Sequence, residues 1–324
     1  MDFSTDCIAS ELERFDQCFE RLLHSRVALT NEVVRYYLNR KGKRLRPMVA
    51  LLVAKMLRDQ VSDRAINGAL ALELLHNASL LHDDVIDKSD ERRGAPTVNK
   101  VWDNRIAVLV GDFFLAKSLE ASNASESLEI SRILSDLVIR LSEGEIEQMC
   151  NARAHISNED AYFSVISNKT ASLFSACMRI GACGSEATEE EINKLSELGE
   201  LMGLVFQIRD DIFDYFPSNN EIGKPTGHDI MEGKVTLPLL YALNKTNDEE
   251  TARMKALLDQ EGDLDEDAIV QLVEFAKAQG GIEYAQTRMD EIASRAKNLL
   301  LTFPDNPARQ SLFGLIDYFI SRNK

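Results

Sequence analysis

No proline occurs between Pro96 and Pro217 of this 324-residue chain. A proline inside a helix removes an N–H and clashes with the preceding turn, so a gap of that length leaves room for long, unbroken helices. Glycine is also sparse, 16 residues in all beside 7 prolines, which is little turn punctuation for a strand-rich or repeat-built fold. Hydrophobic spacing agrees. Ile8, Leu12, Phe15, Phe19 and Leu22 or Leu23 recur three or four apart over 8–24, the single apolar stripe of an amphipathic helix. Similar spacing predicts helices over 31–40, 47–58, 63–87, 104–122, 127–152, 159–183, 189–216, 235–246, 249–259, 266–278, 281–302 and 306–322. Thr188 followed by Glu191 reads as a capping box opening the helix that carries Gln207 to Asp214. There is no period-two strand run, no repeat and no Ser/Gly- or Pro-rich linker. The expected architecture is all-α, one large helical bundle over 1–324, although length alone suggests two domains.

Acidic residues number 53 against 37 basic ones, a formal charge of -16. That works against nonspecific nucleic-acid binding, which depends on neutralising phosphates. It leaves open a small anionic substrate, because local basic groups or bound cations can reverse the global sign. The cysteines, Cys7, Cys18, Cys150, Cys177 and Cys183, are odd in number and form no C-x-x-C. Free thiols in a reducing compartment and no zinc site are expected. The first residues are acidic and amphipathic, unlike a signal or transit peptide, and no run approaches ~18 apolar residues. These features predict a cytoplasmic protein without a spanning helix.

The chemistry concentrates in two matching clusters. Asp83-Asp84-Val85-Ile86-Asp87 ends one predicted helix, and Asp210-Asp211-Ile212-Phe213-Asp214 repeats the same D-D-x-x-D spacing at the end of another. Helical spacing predicts that the three carboxylates of each cluster crowd one side of a helix end. They repel one another there, against a helix dipole that is already negative, so a compensating cation is expected. All-oxygen, carboxylate-rich sites suit Mg²⁺ or Mn²⁺, which commonly share themselves between carboxylates and phosphate. A loop pairing glycine with basic residues trails each cluster: Arg92-Arg93-Gly94 after the first, Gly223-Lys224-Pro225-Thr226-Gly227 after the second. A third basic stretch, Gly42-Lys43-Arg44-Leu45-Arg46-Pro47, runs into a helix start, where phosphate binds well. Below the clusters, His76, Ser79 and Gln207 share the helix face of the aspartates, with Leu72, Leu75 and Gly203 deeper. A charged mouth over an apolar shaft implies an amphipathic substrate with a diphosphate head and a hydrocarbon tail.

At these residues the chain resembles the trans-prenyl diphosphate synthases, the polyprenyl synthetase family. The matching stretches are GKRLRP (42–47), ELLHNASLLHDDVIDKSDERRGAPT (73–97), GD (111–112), KTA (169–171), QIRDDIFDY (207–215) and GKPTGHDIMEGKVTLP (223–238). Among subfamilies it looks most like the octaprenyl type that makes quinone side chains. The resemblance implies an isoprenoid synthase fold, a homodimer, and Mg²⁺-dependent 1′-4 condensation of isopentenyl diphosphate onto an allylic diphosphate, with about three metal ions per site. It assigns metal binding to Asp83, Asp84, Asp87, Asp210, Asp211 and Asp214. Lys43, Arg46, His76 and Arg93 match positions holding isopentenyl diphosphate. Arg92, Lys169, Lys224 and Lys234 match positions on the allylic diphosphate, and Thr170 and Gln207 match groups near its reacting carbon. Ala78 and Ser79 are small where aromatics stop the chain in short-chain members, so a product of about C30 to C40 is expected, released through peripheral membrane contact. The competing expectations are a farnesyl or geranylgeranyl diphosphate synthase and a noncatalytic subunit of a heteromeric synthase. The second of these typically loses aspartates that this chain keeps. Lys41 and Asp103 depart from the family pattern, away from the metal positions.

Overall fold

The computed structural model describes residues 4–39, 44–92, 94–153, 158–216, 226–259 and 264–322. Helices dominate, as the proline gap predicts: α1 (Ala9–Leu22), α2 (Ala28–Leu38), α3 (Leu45–Leu57), α4 (Asp63–Ile86), α5 (Val98–Val101), α6 (Asn104–Ala124), α7 (Leu128–Arg153), α8 (Glu159–Ile166), α9 (Ser172–Cys183), α10 (Glu189–Phe213), α11 (His228–Met231), α12 (Leu237–Lys245), α13 (Glu249–Leu258), α14 (Glu266–Ala278), α15 (Gly281–Leu300) and α16 (Pro307–Ser321).

The organising element is α4. Its N-cap is Ser62, whose hydroxyl accepts the Ala65 N–H. Ala69, Leu70, Ala71, Leu72 and Leu74 are successive or nearly so, and all are fully buried. A helix apolar on every side can be stable only inside a bundle, and α3, α6 and α9 pack around this one. The second long interior helix, α10, lies against α9 and α15. It opens with the expected capping box: Thr188 accepts from the Glu191 N–H while the Glu191 side chain takes the Thr188 N–H. Most buried apolar residues form one continuous core. A smaller cluster under α12, α13 and α14 includes Tyr215, Ile230, Leu239, Met254 and Leu272.

Two local features differ from the sequence expectation. The segment expected as one helix over 159–183 is broken by a π-helical turn, Ser167–Ala171, between α8 and α9. Residues 88–99 are not simply irregular: β1 (Glu91–Arg92) pairs antiparallel with β2 (Ala95–Pro96), and Thr97 opens the short α5. All five cysteines are free thiols, as expected. Among the described residues no helix is long and apolar enough to cross a membrane.

Candidate active site

The first aspartate cluster divides between two environments. Asp84 turns inward: it is 3% exposed, and its Oδ1 accepts from Arg92 Nε at 2.6 Å. Its carbonyl also accepts the Ser89 N–H at 2.9 Å. Asp83 and Asp87 look the other way. Adjacent helical residues point about 100° apart, whereas residues four apart nearly eclipse. The expectation that all three carboxylates crowd one side is therefore corrected: two do, and the third anchors the hairpin that carries Arg92. Burial pushes the Asp83 carboxyl up to about 6, the Glu145 and Asp87 carboxylates adding to the rise and Lys169 opposing it.

Opposite Asp83 stands the π turn. A π turn widens the helix by one residue and commonly marks a functional position. Here it carries Lys169 and Thr170. Lys169 Nζ lies 2.5 Å from Glu145 Oε2 and 3.5 Å from Gln148 Oε1, both on α7. The Thr170 hydroxyl donates to Gln207 Oε1 at 2.8 Å, and Gln207 Nε2 donates to Asp211 Oδ1 at 2.7 Å. The sequence pairing of Thr170 with Gln207 is thus a direct contact. Two glycines allow it. A Cβ on Gly203 of α10 would sit 2.4 Å from Ala171 Cα, and one on Gly144 of α7 would sit 3.1 Å from Lys169 N.

The second cluster is tied to the protein at every member. Asp211 is 3% exposed and accepts from the Tyr162 hydroxyl at 2.6 Å as well as from Gln207. Burial, reinforced by the Asp229 carboxylate, raises its pKa well above the usual carboxylate range, making it a weaker acid. Asp214 caps α11, taking the His228 and Asp229 N–H groups at 3.0 Å each; burial and Asp229 also push it up. Asp210 receives Arg322 Nη2 at 2.6 Å. Arg322 has only 7% of its side chain exposed and lies 4.0 Å over the Phe206 ring, while its carbonyl accepts from Arg209 at 3.0 Å. Sequence reading missed Arg322, Tyr162, Glu145 and Asp229. Asp229 stood inside the quoted GHDIM stretch, but Arg322 carries no local signal at all.

Lys234 feels carboxylates associated with both clusters. Burial alone would lower its ammonium, but the hydrogen bond to Glu232, together with Asp229 and Asp87, more than offsets that and holds it above its ordinary value. Asp87 belongs to the first cluster, and Asp229 is the residue that bears on Asp211 and Asp214 of the second. Lys169 acts on Glu232 as well as on Asp83. Lys169 pairs with Glu145 and Lys234 with Glu232, so the two ammonium groups are each held by a carboxylate close to the clusters. Arg46 sits on the first turn of α3, and His76 is buried on α4, as are Ala78 and, partly, Ser79, whose hydroxyl donates to the His76 carbonyl. Lys43, Arg93 and Lys224 lie outside the described residues.

Among the described residues no three His, Cys, Asp or Glu side chains converge to hold a metal ion by themselves. The donor chemistry nevertheless suits hard cations. Among the described residues no cation lies within hydrogen-bond range of the Asp83 and Asp87 carboxylates, and a carboxylate accepts at about four lone-pair positions, so the hydrogen bonds to Asp211 and Asp214 leave donor capacity. Such a set could share an ion with phosphate oxygens rather than enclose it.

A long-helix bundle with paired acidic helix ends, cations close to them and an apolar interior defines the all-α isoprenoid synthase class. A model of the polyprenyl synthetase family matches residues 27–275, and the chain belongs to that family; it is a prenyltransferase. It is 34% identical over 313 residues to the octaprenyl diphosphate synthase of Haemophilus influenzae, covering 97% of this chain and 94% of that one. Among solved structures, the geranylgeranyl pyrophosphate synthase of Bacteroides thetaiotaomicron is 39% identical with a TM-score of 0.83, covering 97% of each chain. The polyprenyl synthase of Caulobacter crescentus CB15, complexed with calcium and isoprenyl diphosphate, is 30% identical with a TM-score of 0.87, covering 100% of this chain and 99% of that one.

Proposed function

We propose that the protein is a Mg²⁺-dependent synthase that adds isopentenyl diphosphate to an allylic diphosphate, 1′-4 and all-trans, to make a long polyprenyl chain of about C30 to C40 for a quinone side chain. The whole chain acts as one catalytic unit in this reading. The observation that carries it is the placement of the two D-D-x-x-D clusters at the ends of the interior helices α4 and α10, with Thr170 of the π turn bonded to Gln207 and Gln207 to Asp211. The calcium and isoprenyl diphosphate of the Caulobacter protein support the ligand class.

Asp83, Asp87, Asp210, Asp211 and Asp214 would hold the metal, with Asp84 contributing through its hold on Arg92. Bound Mg²⁺ supplies Lewis-acid neutralisation of the diphosphate oxygens. Lys169, Lys234, Arg92 and Lys224 add fixed positive charge where the departing diphosphate gains negative charge, the kind of electrostatic contribution that usually dominates catalysis. Thr170 and Gln207 turn neutral oxygens toward the allylic carbon as its C–O bond ionises. They stabilise positive charge without offering a nucleophile. Arg46, His76, Lys43 and Arg93 hold isopentenyl diphosphate so that its double bond attacks. The attack leaves a tertiary cation on the isopentenyl unit, and the departing diphosphate accepts the proton from the neighbouring C2, so that a double bond re-forms. Buried Leu72, Leu75 and Ala78 keep water from the cation.

A single assay decides most of this. Purified protein given farnesyl diphosphate and labelled isopentenyl diphosphate is expected to incorporate label only with Mg²⁺, and chromatography is expected to show C30 to C40 products. Absent incorporation would overturn the synthase assignment, and incorporation that persists in chelator would overturn the Mg²⁺ dependence. A second reading, a shorter product, is favoured by the 39% identity to a geranylgeranyl pyrophosphate synthase, and products ending at or below C20 would establish it.

The proposal extends to a homodimer, supported by the outer face of α6 and α7. Leu109 is 62% exposed and Ile146 61%, with Val108, Leu119 and Ile139 exposed on the same two helices. Patches of that kind on long helices mark association surfaces. Sedimentation is expected to give about twice the 36.4 kDa chain mass, and Leu109→Glu is expected to shift it toward monomer. A wild-type monomer at micromolar concentration would refute the dimer.

A further inference from the structure

The π turn that carries Lys169 and Thr170 is held from behind by groups that touch neither metal-site carboxylates nor either of those two residues. Arg140 on α7 spreads its guanidinium across the start of the turn. Its Nε donates to Asn168 Oδ1 at 3.0 Å, and its Nη2 donates to the Ser167 carbonyl at 3.2 Å and the Ser167 hydroxyl at 2.9 Å. The same Nη2 reaches Glu200 Oε1 on α10 at 3.1 Å, and Nη1 reaches Glu200 Oε2 at 3.4 Å. The Ser167 hydroxyl also donates to the Glu200 carboxylate. About one third of the Arg140 side chain is exposed and 27% of that of Glu200, so the pair is partly shielded from solvent.

The same three-part pattern is repeated on both flanking helices. On α7 the order is Arg140, then Gly144, where the backbone of the turn comes close, then Glu145 and Gln148, which take the Lys169 ammonium. On α10 it is Glu200, then Gly203, where Ala171 comes close, then Gln207, which takes the Thr170 hydroxyl. Each helix therefore grips the turn at its start, approaches it in the middle, and meets its functional side chain at the end.

A π turn is intrinsically less favourable than the α-helical alternative. Something must hold the extra residue in place, and a planar guanidinium fork bonded to one carbonyl and two side chains of the turn supplies that hold. If the turn closed to ordinary helix, side chains on its two sides would rotate relative to each other by about 100°. Lys169 and Thr170 could not then keep both Glu145 and Gln207.

We propose that Arg140 and Glu200 are positioning residues for the prenyl-transfer reaction: together they clamp the π turn open and so set how Lys169 and Thr170 are presented to the allylic diphosphate. This rests on the proposed function only for the identity of the substrate. The turn's geometry stands apart from it.

Two measurements test the clamp on Arg140→Met, Arg140→Lys and Glu200→Gln. In steady-state kinetics with Mg²⁺, Arg140→Met is expected to raise KM for farnesyl diphosphate and lower kcat, each at least about tenfold, with KM for isopentenyl diphosphate within about twofold of wild type. Arg140→Lys keeps the charge but not the fork, and should fall between Met and wild type. Glu200→Gln should act in the same direction more weakly, and the Arg140→Met/Glu200→Gln double variant should lose no more than Arg140→Met, since both break one unit. In amide hydrogen exchange, residues 167–172 of Arg140→Met should exchange at least about tenfold faster than wild type while α4 and α9 keep their protection. Wild-type kinetics in Arg140→Met, an equal rise in both KM values, or unchanged exchange over 167–172 would each overturn the clamp. Should Arg140→Met fail to fold, Glu200→Gln carries both measurements at smaller magnitude: a rise in KM for farnesyl diphosphate without one for isopentenyl diphosphate and faster exchange over 167–172 are expected, and wild-type behaviour in either would overturn the clamp. Should the wild-type protein show no turnover, the substrate assignment fails, and the exchange measurement still decides the clamp.

Discussion

Asp211→Asn is expected to stabilise the metal-free protein and to abolish its activity. The two effects have one cause. Asp211 is buried, with Asp229 beside it and Asp210 adjacent in sequence, so its ionised form is costly in the fold and its pKa is raised. A carboxyl raised in the folded state binds more protons there than in the unfolded chain. Its contribution to stability is fully present below the unfolded value near 3.8 and declines as pH rises toward the folded value. Asparagine removes that decline. Its amide still accepts from Gln207, and the Tyr162 hydroxyl can turn to accept from its NH₂. In chelator, the variant's melting temperature should exceed that of wild type, by a margin that grows between about pH 4 and pH 8 and corresponds to at least about 1 kcal/mol at neutral pH. In Mg²⁺, kcat should fall by at least about a hundredfold, because a charge that is unfavourable alone is the one a cation and diphosphate require. Thermal melts across pH and a steady-state assay measure both. A variant that melts below wild type in chelator, or that keeps its turnover, would contradict this account.

Gly203→Ala should cost both stability and turnover, although alanine is the better helix former by about 1 kcal/mol. The added Cβ would stand 2.4 Å from Ala171 Cα and 3.2 Å from Ala171 N, and backbone atoms cannot swing aside as a flexible side chain would. α10 must then move off the π turn. Overpacking of this kind costs about 1–3 kcal/mol beyond the propensity gain. The displacement also opens the 2.8 Å contact between Thr170 and Gln207. A shift of about 1 Å at a reacting centre commonly lowers rate about a hundredfold. Chemical denaturation and kcat report the two effects. A variant as stable and active as wild type would show that α10 does not need this close approach.

Much of the molecule was readable from local pattern. The proline gap and the three-to-four spacing of apolar residues marked out the long helices, and Thr188 with Glu191 marked the start of α10. The twin D-D-x-x-D clusters marked the candidate site, because like charges crowded at helix ends are a local anomaly that the chain itself displays. Thr170 and Gln207 were named together and do touch. The apolar run over 159–183 gave no sign of its break, since a π turn leaves the hydrophobic spacing nearly intact and is imposed by what packs against it.

The amino-acid sequence by itself determined the helices, the acidic ends of α4 and α10, and the kind of ligand those ends suit, because periodicity and charge clustering act over a few residues. The tertiary structure alone decided which carboxylate faces which neighbour: Asp84 toward Arg92, Asp210 toward Arg322, and Asp211 toward Tyr162. Those pairings join elements far apart in the chain, and the direction of each side chain follows from how whole helices pack, which no short stretch of residues encodes.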